Sequence, residues 1–66
     1  MRLNYALLRR ELFKQGVTQK QLASMTGISR ATINGICKGR SCSSTTAQKI
    51  AAALNILIDE LLEADE

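Results

Sequence analysis

The sequence has no histidine, no proline and no tryptophan, and its only cysteines are Cys37 and Cys42. Two cysteines without a histidine cannot supply the full tetrahedral ligand set of a structural zinc site. They are also too few for a disulfide framework, so we expect both to stay reduced and to pack as small hydrophobic residues. The alternative is a redox switch, in which a bridge between them would distort the intervening loop.

Groups that carry catalysis are missing as well. Without histidine the usual general base is absent, and the sequence has no carboxylate pair near a nucleophile and no glycine-rich phosphate loop. We therefore expect a protein that is not an enzyme and that binds neither a metal ion nor another cofactor.

Long hydrophobic runs are absent too. No segment approaches the roughly 18 apolar residues of a membrane span. The apolar stretch near the start is interrupted at once by Arg9 and Arg10, which is not the pattern of a signal peptide. We expect a cytoplasmic protein with one domain, residues 1–66. A core of this size supplies only about 3–5 kcal/mol, so dimerisation would help it.

Charge is present but unevenly distributed. From residue 1 to residue 40 there are eight cations and one acid, Glu11, whereas from residue 41 onward there is one cation, Lys49, and five acids. A polyanion would approach the first part of the chain and be repelled by the last. Taken alone, the asymmetry could also be accidental on a solvated surface.

The stretch from Thr18 to Lys38 predicts two short helices joined by a tight turn. Thr18 and Gln21 have the spacing of a capping box, and Gly27 suits a left-handed turn residue. Ser29 then caps a second helix, which runs from Arg30 to about Cys37.

This second helix has two different faces. Ile33, Ile36 and Cys37 recur at three- and four-residue spacing and should point inward. The outward residues are Arg30, Ala31, Asn34 and Lys38. A short helix with a polar and cationic outer face fits the major groove of DNA. The alternative is an ordinary helical hairpin in a small bundle.

The motif TQKQLASMTGISRATINGICKGR, Thr18 to Arg40, resembles the Cro/repressor-type (XRE-like) helix-turn-helix family of phage and bacterial regulators. Caps and apolar spacing also predict a helix from Tyr5 to about Gln15 after an Asn4 cap, one from Thr45 to Leu54 after Ser43 or Ser44, and a short last one from Asp59 to about Glu63. The resemblance extends over these segments. It implies an all-α, compact five-helix lambda-repressor-like domain. Helices 2 and 3 would form the helix-turn-helix (residues 18–38), and double-stranded operator DNA would be the partner.

Many family members carry an arginine at the position of Leu12 and a glutamate at that of Cys37, and these pair inside the domain. Here both positions are apolar. Replacing both members of a buried ion pair together can be neutral or stabilising, so the fold expectation stands. We expect the inner stripe of the first helix to be Leu8 and Leu12, helped by Tyr5 and by Leu7 or Phe13.

The outer face of the second motif helix predicts the base contacts. Arg30 suits guanine, Asn34 suits adenine and Ala31 offers a methyl group to thymine, while Gly35 leaves a bare spot for close approach. The resemblance assigns a phosphate contact to Gln19. The full set of predicted backbone contacts is Thr18, Gln19, Thr32, Lys38, Arg40, Ser41 and Ser43. For the serines, plain turn chemistry is an equal alternative.

These features predict a sequence-specific DNA-binding transcriptional regulator that acts by occupying an operator. The alternative is a protein-interaction module, such as an antitoxin or a regulator sequestered by a partner. Near the end, apolar residues exceed what one short helix needs and could form a homodimer contact, or simply close the monomer core. They are Leu57, Ile58, Leu61 and Leu62.

Overall fold

The computed structural model describes residues 2–62, and the expected helices are present within that range. They are α1 (Tyr5–Gln15), α2 (Gln19–Thr26), α3 (Arg30–Cys37), α4 (Ser44–Leu54) and α5 (Ile58–Leu61). Pairing of the β type is limited, in the described residues, to an antiparallel bridge between Leu3 and Leu62. The all-α, five-helix prediction is confirmed.

Neutral polar side chains start the first four helices. Asn4, Thr18, Ser29 and Ser43 each accept a hydrogen bond from the backbone N–H three residues later. At α2 the bond is reciprocal: Thr18 Oγ1 accepts from Gln21 N at 3.0 Å, and Gln21 Oε1 accepts from Thr18 N at 2.9 Å. Each cap satisfies a backbone donor that the helix leaves unpaired, so short local signals fix where these helices begin.

Left-handed residues end three of the helices. Gly27 closes α2 with φ 73°, and Asn55 closes α4 with φ 57°. α3 ends without a left-handed cap. The cap is Lys38, with φ −101°, and Gly39 follows it with φ 102°. The left-handed turn of the chain therefore comes at Gly39, one residue after the cap of α3.

The core lies between the helices and is wholly hydrophobic in the described residues. α3 packs against both α1 and α2, and α4 packs against α1, α2 and α5. The largest fully buried side chains are Leu8, Leu22, Ile33, Ile36, Ile50, Leu54 and Leu61. Leu12 and Cys37, the two apolar departures from the family pattern, are also buried. α3 is thus held from two sides with one face left outside.

Some predicted core residues of α1 and the loops lie elsewhere. Phe13 is 88% exposed and Tyr5 is 39% exposed, so both lie outside the inner stripe of α1 to which the sequence analysis assigned them. Leu7, the alternative to Phe13, is half-buried. Leu3, which the pattern did not single out, is buried instead. Its burial follows from the pairing with Leu62, a contact between residues far apart in sequence.

The last helix corrects the predicted dimer patch. α5 begins at Ile58 and not at Asp59, and the predicted end at Glu63 lies outside the described residues. Leu61 has no exposed surface, because it closes the monomer core, so it cannot be part of an exposed patch. Ile58 and Leu62 are half-buried against the same core, which leaves Leu57, 69% exposed, as the one prominent apolar side chain of the four. None of the described helices has the length and hydrophobicity to span a bilayer.

Candidate nucleic-acid interface

The two faces of α3 are separated as the sequence predicted. Ile33, Ile36 and Cys37 are buried in the core. Arg30 and Asn34, four residues apart on one line of the opposite face, are exposed. Ala31 is exposed beside them. The side chains predicted to read bases are therefore brought together on one accessible face.

The turn before α3 is rigidly built. Gly27 donates its N–H to Ala23 O at 2.9 Å. Thr26 Oγ1 donates to Leu22 O at 2.8 Å and accepts from Ile28 N at 3.3 Å, which links the end of α2 to the turn. Ile28, in the turn, is half-buried and packs on the core. These contacts hold the turn, and the packing of α3 against α1 and α2 sets which way its outer face points.

Several predicted phosphate contacts also serve as helix caps. Thr18 Oγ1 is the acceptor of the α2 capping box. Ser43 caps α4 and donates its hydroxyl hydrogen to Thr46 Oγ1 at 3.0 Å. Thr32 differs, since its Oγ1 accepts from Ser29 Oγ at 2.8 Å and keeps its own hydrogen for another acceptor. Of these hydroxyls, Thr32 is the best placed to donate to a phosphate.

The loop after α3 folds back onto the helix. Lys38 N and Arg40 N both donate to Gly35 O at 3.0 Å, and Gly39 N donates to Ile36 O at 3.0 Å. Lys38, Arg40 and Ser41 remain exposed. The loop is therefore structured, and it carries its two cations beside the end of α3.

Gly35 is not the bare spot that the sequence predicted. A Cβ atom built on Gly35 would lie 3.3 Å from Arg40 Cδ and 3.5 Å from Arg40 Nε. The side chain of Arg40 thus lies over the helix where Gly35 has no side chain. The pattern of residues could not show this, because it depends on how the following loop folds.

The interface is electrostatically one-sided. From residue 18 to residue 43 the sequence has four cations and no acid. The cations are Lys20, Arg30, Lys38 and Arg40, and all four are exposed. The described acids lie on α1 and α5. This surface favours a polyanionic ligand.

The two cysteines behave as packing residues. Burial raises the pKa of the Cys37 thiol, opposed in part by the positive charge of Arg9, and burial also raises the pKa of Cys42. A raised pKa keeps a thiol protonated and unreactive at neutral pH. Neither is in a disulfide, and the described residues contain no group of three or more potential metal ligands.

Comparisons with known proteins agree with this geometry. A family model described as helix-turn-helix matches residues 8–61. The crystal structure of the restriction-modification controller protein C.AhdI from Aeromonas hydrophila is similar, with a TM-score of 0.79 and 34% sequence identity over 83% of this chain and 85% of that chain. No curated protein sequence matches significantly. The chain belongs to the Cro/repressor-type (XRE) helix-turn-helix family of DNA-binding transcriptional regulators.

Proposed function

We propose that the protein acts by occupying an operator, with α3 inserted in the major groove of double-stranded DNA. The observation that carries this is the division of α3 into a buried Ile33, Ile36 and Cys37 face and an exposed Arg30 and Asn34 face. A helix anchored on one side and polar on the other can enter the groove without giving up its core contacts.

The exposed face supplies the base contacts. Arg30 can donate two hydrogen bonds to O6 and N7 of guanine, and Asn34 can pair with N6 and N7 of adenine. Ala31 offers a methyl group to the methyl of thymine. With so few readers, DNA shape supplies part of the specificity.

The surrounding groups hold the DNA backbone. Lys38, Arg40 and Ser41 are exposed in the loop after α3, and Thr32 has a hydroxyl hydrogen to donate. At the start of α2, the helix N-terminus at Thr18 and the half-buried Gln19 offer donors to a phosphate oxygen. The hydroxyl hydrogen of Ser43 is already donated to Thr46 Oγ1, so its contact with a phosphate would come from its backbone N–H.

Two copies would bind a two-fold symmetric operator. Their α3 helices would then lie about 34 Å apart, which is one turn of DNA. Leu57, with help from the half-buried Ile58 and Leu62, is the apolar surface available for the dimer contact. A regulator of this kind works beside the DNA, in the cytoplasm. The likeness to C.AhdI makes control of a restriction-modification system one candidate role.

Selection of bound sequences from a random duplex pool tests the proposal. We expect enriched half-sites that contain guanine and adenine, arranged with two-fold symmetry. Affinity for the selected duplex should fall by about 10³-fold or more between about 50 and 200 mM salt, since several phosphates are contacted. Absence of binding at low salt, together with a stable complex with another protein, would favour the protein-interaction alternative.

A further inference from the structure

Gly35 occupies an unusual place for a glycine. It lies inside α3, four residues after Ala31, and therefore on the exposed face that the proposed function turns toward DNA. Glycine is the least favourable residue other than proline in a helix interior. A glycine that weakens the helix on its exposed face is explained if it allows a close contact that a side chain would prevent.

The contact is with Arg40. A Cβ atom on Gly35 would lie 3.3 Å from Arg40 Cδ, 3.5 Å from Nε and 3.8 Å from Cβ. The backbone N–H of Arg40 also donates to Gly35 O at 3.0 Å. Any residue at position 35 would offer the same carbonyl oxygen, so only the contact with the aliphatic stem of Arg40 depends on the missing side chain. A Cβ atom would already be close to Arg40 Cδ, and a larger side chain on that side of the helix would displace the stem.

The geometry points to Gly35 as a positioning residue that acts on DNA through Arg40. Because Gly35 has no side chain, the stem of Arg40 packs against α3. The guanidinium is thereby held in a fixed position at the end of the exposed face of α3. An arginine that is already held loses less rotamer freedom when it binds a phosphate. This inference rests on the proposed function, and it replaces direct base contact as the role of Gly35.

The contact between Gly35 and the stem of Arg40 can be tested without DNA. In the wild-type protein we expect nuclear Overhauser effects between the Gly35 α-protons and the Arg40 δ-protons, and a restrained Arg40 Nε–H by ¹⁵N relaxation. Gly35→Leu should abolish the first and mobilise the second while α3 stays folded, because leucine is a strong helix former. A mobile Arg40 side chain in the wild type would overturn the inference.

Its consequence for binding can be measured with a double-mutant cycle on the selected duplex. We expect Arg40→Ala and Gly35→Leu each to weaken binding about tenfold, as the loss of one charged contact would. The double variant should also be about tenfold weaker, and not about 100-fold, since both changes remove the same contact. Lys49→Ala, which removes an exposed cation from α4, is the control and should leave affinity unchanged.

The salt dependence separates this role from simple obstruction of the groove. Gly35→Leu removes no charge. It should nevertheless make the slope of log affinity against log salt less negative by about one unit, as Arg40→Ala does. If Gly35→Leu weakens binding equally with and without Arg40 and leaves the slope unchanged, Gly35 approaches the DNA directly and the inference is wrong. That result would leave the proposed function standing, whereas a wild-type protein without salt-dependent binding would overturn both.

Discussion

The helix-turn-helix, α2 and α3, contrasts with the closing region, which we define as Leu3, Asn4, α5 and Leu62. In the helix-turn-helix each helix begins at a hydroxyl cap, and Gly27 makes the turn. In the closing region α5 has no side-chain cap and only four residues. It is held by the Leu3–Leu62 bridge and by a hydrogen bond of 2.7 Å from Asn4 N to Leu61 O.

The two regions differ in how far apart in the sequence their stabilising contacts reach. The signals of the helix-turn-helix act between residues three or four apart, so each contributes a modest amount and several share the task. The closing region depends on contacts between the two ends of the described chain, and a single side chain, Leu61, fills its part of the core. Loss of one local signal in the helix-turn-helix should therefore cost a small part of the stability. Loss of one contact in the closing region should cost a large part.

The largest effect is expected from Leu61→Ala. Removing a fully buried leucine costs about 2–5 kcal/mol, which is close to the whole stability of about 3–5 kcal/mol for a domain of this size. The urea midpoint and the melting temperature should fall steeply, with a substantial fraction of the protein unfolded at 25 °C, as circular dichroism would show. Leu57→Ala, at an exposed leucine four residues earlier, should change stability by less than about 0.5 kcal/mol. Equal effects would mean that Leu57 is also covered, as in a dimer.

A change on the exposed face of α3 should be smaller and should affect binding alone. Arg30→Ala is expected to lose about 1–3 kcal/mol of affinity for the selected duplex, while random duplex weakens less and the melting temperature stays the same. Fluorescence anisotropy with both duplexes measures this, with Lys49→Ala as the control. Equal weakening on both duplexes would make Arg30 a phosphate contact.

Loss of one local cap should cost less again. Ser29→Ala removes the acceptor for Thr32 N at the start of α3 and should destabilise the protein by about 1 kcal/mol. The matched control is Ser24→Ala, at an exposed position inside α2, where alanine is the better helix former. Urea denaturation compares the two. A Ser29→Ala protein as stable as the control would show that packing alone sets the start of α3.

The smallest effect concerns alkaline pH. Because burial raises the pKa of Cys37, the unfolded chain releases the thiol proton at a lower pH than the folded protein does. Stability from this source is present at neutral pH and falls as pH rises from the ordinary thiol pKa toward the raised one. Urea midpoints should therefore decline less with alkaline pH in Cys37→Ala than in the wild type. An identical decline would assign it to other groups.

The same contrast explains what the sequence could predict. The bounds of α1 and α3 follow from Asn4, Ser29 and the apolar spacing, and the structure agrees with them. The pairing of Leu3 with Leu62 could not be predicted, because no local pattern links residues that far apart. For that reason the sequence left open whether Leu61 forms a dimer contact or closes the monomer core, and the structure shows that it closes the core.

At the interface the division is similar. The inward and outward residues of α3 follow from helical periodicity alone, so the exposure of Arg30 and Asn34 was predicted and is confirmed. The contact between the stem of Arg40 and Gly35 was not predicted, because it depends on the loop after α3 folding back onto the helix. The DNA contacts themselves stay predictions.

The chemistry of the helix caps has a practical consequence for experiments at varying ionic strength. Asn4, Thr18, Ser29 and Ser43 are amides and hydroxyls, and the first turns of α1 to α4 contain no carboxylate. Dissolved ions screen charge–charge attraction and leave such neutral hydrogen bonds nearly untouched. The helices should therefore stay folded from low to high salt concentration. A change in affinity across that range would then report on the ligand's charge and not on partial unfolding of the protein.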